Sequence, residues 1–476
     1  MHGRTQGLGE QEGSSPLLTI AGEAVFQGAM RVNVLDLRLK YRALMALLAP
    51  LLVLLAAPRN LRAQDNAAIS SNPGGVNIIA GTGLLGRTLG LTPDTGVRFG
   101  GVWVGDSNYF FGNSALPGKG SFNSLLVLDL NFDEKALKVP GAQIGLEYLQ
   151  FNGQATNVQA GVVTGYNSLP GSPPLNRTEF YQLYWRQRLF SDKFIFRFGK
   201  SVPTYDFNNV IRAVPVNDKS LAIPAVSGLF FTPVFVNTTL LGALPGYYNS
   251  AYGLTATFAP IKQFYASYGI YDGNVANGTQ TGLQLTPQFN GYYFNIGEAG
   301  TAWLLGENSK PGTFSVGGWG QSGELKSAFN SNNTQDGAQG FYTFATQRLW
   351  FRNPGVDSSG ISSFAQFGIN NSHTMFAHKY LGGGVTGFGL IPKRPNDSLG
   401  AGVAASWLNQ NASVPKFRAN EVILQAYYQM QIINGIYFGP AVSYVPDPGA
   451  PAKQQPGQSA YLPEATAVTA RVTLLF

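Results

Sequence analysis

The 476-residue sequence predicts an all-β fold, a transmembrane antiparallel β-barrel of about 16 strands around a water-filled lumen. Three observations predict it. Short segments alternate apolar and polar side chains and are separated by Gly, Pro, Asn and Asp. Their polar faces carry ionised groups, which a sandwich core would exclude but a wet lumen tolerates. The chain also ends on such a segment, with Val468, Ala470, Val472, Leu474 and the terminal Phe476 on one face.

Composition agrees. Charged residues make up 12% of the chain and aromatic residues 13%, with 59 Gly and 28 Pro, a mixture that favours short strands and turns over long helices. The absence of Cys removes disulfides, thiolate metal sites and cysteine nucleophiles. The formal net charge is +7, but residues 1–63 carry seven Lys/Arg against four Asp/Glu, so the remainder is nearly neutral. It has no Lys/Arg block, and nucleic acid is not an expected partner.

Residues 1–29 show no pattern and are left as an unassigned N-terminal extension. From Met30 the order is that of a secretory signal peptide, residues 30–63. Arg31, Arg38, Lys40 and Arg42 precede the apolar stretch Ala43 to Ala57, and cleavage follows Ala63. About 15 apolar residues fall short of the roughly 20 that a spanning helix needs. Residues 64–96 read as a periplasmic or plug-like segment and residues 97–476 as the barrel.

Four segments carry the alternation. In Leu125 to Phe132, Leu126, Leu128, Leu130 and Phe132 oppose Asp129 and Asn131. In Gln143 to Asn152, Ile144, Leu146 and Tyr148 oppose Gln143 and Glu147. Phe194, Phe196 and Phe198 stand opposite Arg197. Val422, Leu424, Ala426, Tyr428 and Met430 oppose Glu421, Gln425 and Gln429. The aromatic pairs Tyr184-Trp185, Trp350-Phe351 and Tyr427-Tyr428 are expected at an interfacial girdle. Strands of about ten residues with their turns fill the roughly 410 residues after Ala63 with about 16 strands, 18 being the alternative. The Pro-rich stretch Pro203 to Pro245 reads as a loop or irregular edge, because Pro cannot donate to a ladder, and folding into the lumen is one course open to it.

Two motifs point elsewhere. Gly81-Thr82-Gly83-Leu84-Leu85-Gly86, with Asp106 some 20 residues on, formally meets the dinucleotide fingerprint, but Gly90 and Pro93 stop the helix that would receive a pyrophosphate. Ser-His-Asp hydrolysis has only His373 and His378 for its base beyond residue 63, both in the polar stretch Asn370 to Lys379 and both read as loop histidines. Neither has the neighbours of a metal site.

If the apolar faces touch lipid, strand parity turns Arg98, Asp129, Glu147, Arg186, Arg197 and Gln425 into the lumen. Charges of both signs facing across a pore set up a transverse field and offer donors and acceptors, which suits hydroxyl-rich neutral solutes better than a single ion. Each charge could equally solvate the lumen or pair with a neighbour to hold the wall.

Several strings resemble the carbohydrate-selective porin family, often called OprB-type. They are Glu179-Phe180-Tyr181-Gln182-Leu183-Tyr184-Trp185-Arg186-Gln187 followed by Phe194 to Lys200, Gly340-Phe341-Tyr342 through Gln347-Arg348-Leu349, Arg394-Pro395-Asn396-Asp397-Ser398-Leu399-Gly400, and Glu421 to Gln431 with Tyr444-Val445-Pro446-Asp447-Pro448-Gly449. The family's usual Trp-Gly-Gly opening is replaced here by Leu84-Leu85-Gly86. The resemblance implies a 16-stranded barrel of a Gram-negative-type outer membrane that passes glucose-type mono- and small oligosaccharides by diffusion, with no cofactor, no metal and no catalysis. The implied partners are outer-membrane lipids, permeating sugars and the assembly machinery acting through Phe476; trimerisation is common among porins, and the sequence leaves a homotrimer open. A general or anion-selective porin is the alternative, and an outer-membrane enzyme such as a lipase a weaker one.

Overall fold

The computed structural model describes residues 82–111, 120–167, 169, 174–208, 210, 234, 236–246, 248–357, 359–451 and 461–476. The extension 1–29, the signal peptide 30–63 and residues 64–81 lie outside the described residues.

Alternation becomes sixteen antiparallel strands. They are β1 (Val97–Phe111), β2 (Gly120–Phe132), β3 (Ala142–Asn152), β4 (Arg177–Leu189), β5 (Phe194–Ser201), β6 (Ala251–Ile261), β7 (Phe264–Asp272) and β8 (Tyr293–Leu305). The second half comprises β9 (Lys310–Ser327), β10 (Asn330–Phe351), β11 (Gly360–Asn370), β12 (Ala377–Phe388), β13 (Ser398–Leu408), β14 (Asn420–Ile433), β15 (Ile436–Val445) and β16 (Ala465–Leu475). Each pairs with the next, and β16 returns to β1, so the sheet closes and has no free edge. No described helix is long and apolar enough to cross a membrane.

Two kinds of connection separate the ends of the barrel. Residues 190–193, 262–263, 306–309 and 434–435 make tight turns at one end, where Gly435 takes a φ of +82° that favours glycine. The long connections, including residues 153–176, 202–250 and 446–464, all lie at the other end. Residues preceding β1 pack at the short-turn end: the one-turn helix α1 (Leu84–Thr88) lies against β1. Phe476 closes the same end through two backbone hydrogen bonds with Gly101, of 2.8 and 3.0 Å. Gly101 has to be glycine, since a Cβ there would stand 2.3 Å from the Val127 carbonyl oxygen and 2.8 Å from the Phe476 ring.

The β1–β16 seam is polar inside. The Arg471 guanidinium grips Asp106 with two hydrogen bonds, Nε to Oδ1 at 2.8 Å and Nη2 to Oδ2 at 2.6 Å, and the Thr469 hydroxyl donates to Asn108 Oδ1 at 2.7 Å.

Outward faces are apolar, as period two requires. Phe198, Leu254, Tyr268, Phe314, Leu381 and Val403 are exposed there. Tyr109 and Phe111 meet edge to face, and Lys379 rests 4.5 Å from the centre of the Trp407 ring. The adjacent aromatic pairs correct one expectation. Neighbouring strand residues point to opposite faces, so only one ring of a pair can reach a girdle. Tyr427 is buried inside while Tyr428 turns outward, and Tyr184 points inward beside Arg197.

The largest apolar cluster lies inside the barrel. Phe207, Val210, Val234, Leu240, Ala243 and Leu244 of the 202–250 connection pack against Tyr271, Phe294, Trp319, Tyr342, Phe344, Phe364, Tyr380 and Tyr427 of the wall. Of the two courses open to the Pro-rich stretch, its described residues therefore take the inward one. Burial at about 1.5–3 kcal/mol for each large side chain is what holds the loop there.

Candidate functional site

On the inner side of the wall, Asp129, Glu147, Arg197 and Gln425 are buried, while Arg98 and Arg186 are partly exposed. Arg98 on β1 donates from Nη1 to Asp129 Oδ1 at 2.8 Å, and Asn131 holds the other oxygen at 2.6 Å. Asn131 in turn accepts from Gln143 Nε2 at 2.8 Å. Asp129 stands directly opposite Glu147 on β3, whose carboxylate accepts from Gln182 Nε2 at 2.6 Å. Gln182 passes the chain to the inward loop by accepting the Val202 N–H at 3.1 Å. A polar row thus runs from β1 across β2 and β3 to β4 and onto the loop.

Arg186 on β4 lies directly opposite Arg197 on β5. Arg197 is ion-paired with Asp206 on the loop and lies over the Tyr184 ring, 5.2 Å from its centre. Asp206 also accepts from the Thr255 hydroxyl at 3.2 Å. Five of the six residues therefore line one wall, β1 to β5. Gln425 on β14 joins none of them; its Nε2 donates to Ser443 Oγ at 2.8 Å and to the Tyr166 carbonyl at 3.5 Å.

Several inward groups were not picked out by parity, because what they do depends on loops remote in sequence. Glu298 on β8 accepts from the Tyr265 hydroxyl at 2.5 Å, the Tyr342 hydroxyl at 2.8 Å and the Asn208 N–H at 2.7 Å, the last belonging to the inward loop. Thr346 on β10 donates to the Val210 carbonyl at 3.0 Å, and the Thr238 and Ser406 hydroxyls meet at 2.9 Å. The loop is thereby tied from β5 across the lumen to β8, β10 and β13. Glu421 on β14 does the same for two other connections. Its carboxylate accepts the Val163 N–H at 2.9 Å, the Thr164 N–H at 2.8 Å and hydroxyl at 2.5 Å, and the Gly449 N–H at 2.7 Å. The only sequence signal for these roles was a carboxylate on a polar strand face.

The competing motifs take ordinary places. Gly81 of the dinucleotide fingerprint lies outside the described residues, Gly83 caps α1, which contains Gly86 and ends after five residues, and Asp106 points at Arg471. His373 lies on the 371–376 loop, with its ring Nε2 3.3 Å from the Thr334 carbonyl oxygen. His378 is a correction: it belongs to β12 and not to a loop, because the strand starts at Ala377. Neither ring is hydrogen-bonded to a serine or carboxylate among the described residues. The Ser372 hydroxyl is engaged by Thr374 at 3.0 Å. No group of three or more His, Asp or Glu able to hold a metal gathers among the described residues.

The geometry is that of a wall of fixed, mostly neutralised charge facing a loop that occupies the opposite side of the lumen. Its hydrogen-bond donors and acceptors are held in register by the sheet. A family model described as the carbohydrate-selective porin, OprB family, matches residues 126–469. No curated protein matches the sequence. Among solved structures, the high-pH structure of Pseudomonas putida OprB is similar with 17% identity and a TM-score of 0.67, covering 84% of this chain and 99% of that one. Its low-pH structure is similar with 14% identity and a TM-score of 0.50, over 82% and 96%.

Proposed function

The chain belongs to the carbohydrate-selective porin family of OprB type, and from that premise we propose that it lets mono- and small oligosaccharides diffuse passively across the outer membrane, as a channel and not an enzyme. The observation that carries this reading is the polar row Arg98, Asp129, Glu147 and Gln182 facing the inward loop. Asp129, Glu147 and Gln182 are buried and brace the row, and the partly exposed Arg98 presents its guanidinium donors to sugar hydroxyls, so a solute exchanges water for fixed donors and leaves without a deep trap. Tyrosine rings beside these groups, such as Tyr184, supply apolar faces for sugar C–H surfaces.

The general anion channel is the less supported reading. Arg98, Arg177, Arg197 and Arg471 each have a carboxylate partner, at Asp129, Glu179, Asp206 and Asp106. A lumen so neutralised carries little net field to draw small anions. We read the short-turn end as periplasmic and the long-loop end as external, with export by the signal peptide, insertion through Phe476 and assembly as a homotrimer.

Liposome swelling tests the proposal. Purified protein is reconstituted and challenged with isosmotic glucose, maltose and amino acids of similar size. Faster swelling in sugars is expected. Equal rates would replace the sugar channel with a general pore, and no swelling would end the channel reading.

A further inference from the structure

Arg186 departs from the carboxylate pairing of Arg98, Arg177, Arg197 and Arg471. It faces inward, is partly exposed there, and makes no hydrogen bond and no ion pair within 4 Å to any described residue. Its cross-strand neighbour on one side is Arg197 and on the other Gln143. Two positions along the same face, Arg188 is taken up at the short-turn end by Glu134 at 3.3 Å and Asp192 at 3.6 Å. The charged groups acting on Arg186 are thus Arg197, Arg188 and Asp206, and Asp206 is committed to Arg197 and Thr255. Like charges directly opposite on one sheet face are unfavourable. A guanidinium left with open donors beside another calls for an oxyanion, which it can bind through two parallel N–H bonds.

We infer that Arg186 is an anion subsite within the channel, and that the protein takes up sugars bearing a carboxylate or phosphate in addition to neutral ones. The inference rests on the sugar-channel reading and names a second substrate class for it. Gln143 directly opposite Arg186, and Asn131 hydrogen-bonded to Gln143, place carboxamides where the hydroxyls of a ring held by its acid group would lie. Because Arg98, Arg177, Arg197 and Arg471 are paired with carboxylates, the preference is set at Arg186 and does not make the pore an anion filter.

The test is current block in planar bilayers containing the wild-type protein, with sodium glucuronate, glucose 6-phosphate and glucose as probes. Half-block by at least one of the acids is expected at about tenfold lower concentration than by glucose, the equivalent of one added charge-assisted contact. In Arg186→Gln the ratio of acid to glucose affinity falls to near one, while Arg186→Lys retains part of it. Raising ionic strength weakens the acid block in the wild type, a measurement that needs no variant to fold. Equal block by acids and glucose in the wild type, or an unchanged ratio in a folded Arg186→Gln barrel, overturns the subsite. Glucose swelling is run on the same preparation: if glucose does not pass, the channel reading itself has failed, and if it passes without any preference for the acids, only the subsite has.

Discussion

Removing the Glu298 carboxylate tests how the inward loop is held. Among the described residues three donors converge on it, and two of them, the Tyr265 and Tyr342 hydroxyls, belong to the wall. The Asn208 N–H, at 2.7 Å, ties this part of the loop to the carboxylate, and a hydrogen bond to a charged group contributes about 1.5–3 kcal/mol. Glu298→Ala should therefore raise the fraction of molecules with this part of the loop undocked by roughly 10- to 100-fold. Glu298→Gln should do less. Its carboxamide oxygen can keep Asn208 N–H while its NH2 donates to Tyr265, whose hydroxyl can turn to Ser315 Oγ at 2.9 Å. The natural absence of Cys permits a clean readout. A single Val210→Cys reporter, at a position 2% exposed in the docked loop, is labelled by a maleimide only when the segment opens. Labelling rates should rank Ala above Gln above Glu298. If the Ala variant, shown by its heat-modifiable gel migration to be folded, labels no faster than the parent, the Asn208 contact does not hold the loop and the argument from it is wrong.

Three further outcomes are expected. Arg98→Gln strands the buried Asp129 beside Glu147 and should cost about 3 kcal/mol of stability in detergent, most of it recovered in the double variant with Asp129→Asn; additive losses in the thermal melts would show that the pair is not coupled. Glu421→Ala removes four hydrogen bonds from the 153–176 and 446–464 connections, so limited proteolysis at the long-loop end should cut these loops more than tenfold faster while the barrel stays intact. At the short-turn end, burial works against ionisation of Asp397, but hydrogen bonds from Arg394, Tyr428 and the Gln431 N–H outweigh it and hold the carboxyl below its ordinary range. A depressed folded-state pKa contributes stability that is present above about pH 3.9 and lost as pH falls through the lower folded value. Asp397→Asn should thus lower the melting temperature at pH 7 and flatten its decline below pH 4, and parallel wild-type and variant curves would refute the assignment.

Period two makes the wall legible in the sequence alone. An apolar face against lipid leaves its partner face nowhere to go but inside, and this is the whole basis on which the sequence points Asp129, Glu147, Arg197 and Gln425 inward. The count of 16 followed from length because bilayer thickness limits how long a strand runs inside the membrane. β9 and β10, with 18 and 22 residues, exceed that length, and their Gly- and Asn-rich outer halves carried no clear alternation. Partnership was not legible. Nothing near Glu298 announces Asn208, 90 positions away, and nothing near Glu421 announces Thr164, 257 positions away. The same applies to Arg186 and Arg197: parity put both inside, but which of them the loop's Asp206 would satisfy depended on how the loop returned across the lumen.

The seam between β1 and β16 bears on how the molecule reaches its native state. Fifteen of the sixteen pairings join strands consecutive in sequence, so each needs only a modest closure of chain. The sixteenth brings Asp106 to Arg471 across 365 positions and belongs to the late stages of folding. Its accuracy is exposed to one kind of error in particular. A slip of one residue turns every apolar side chain to the wrong face and is strongly opposed, but a slip of two keeps both faces correct and is almost invisible to the hydrophobic pattern. It is not invisible to Asp106, which has no exposed surface and would lose both bonds from Arg471. A buried carboxylate without its partner costs several kcal/mol, so the ion pair serves as the error check on the last joint to be made.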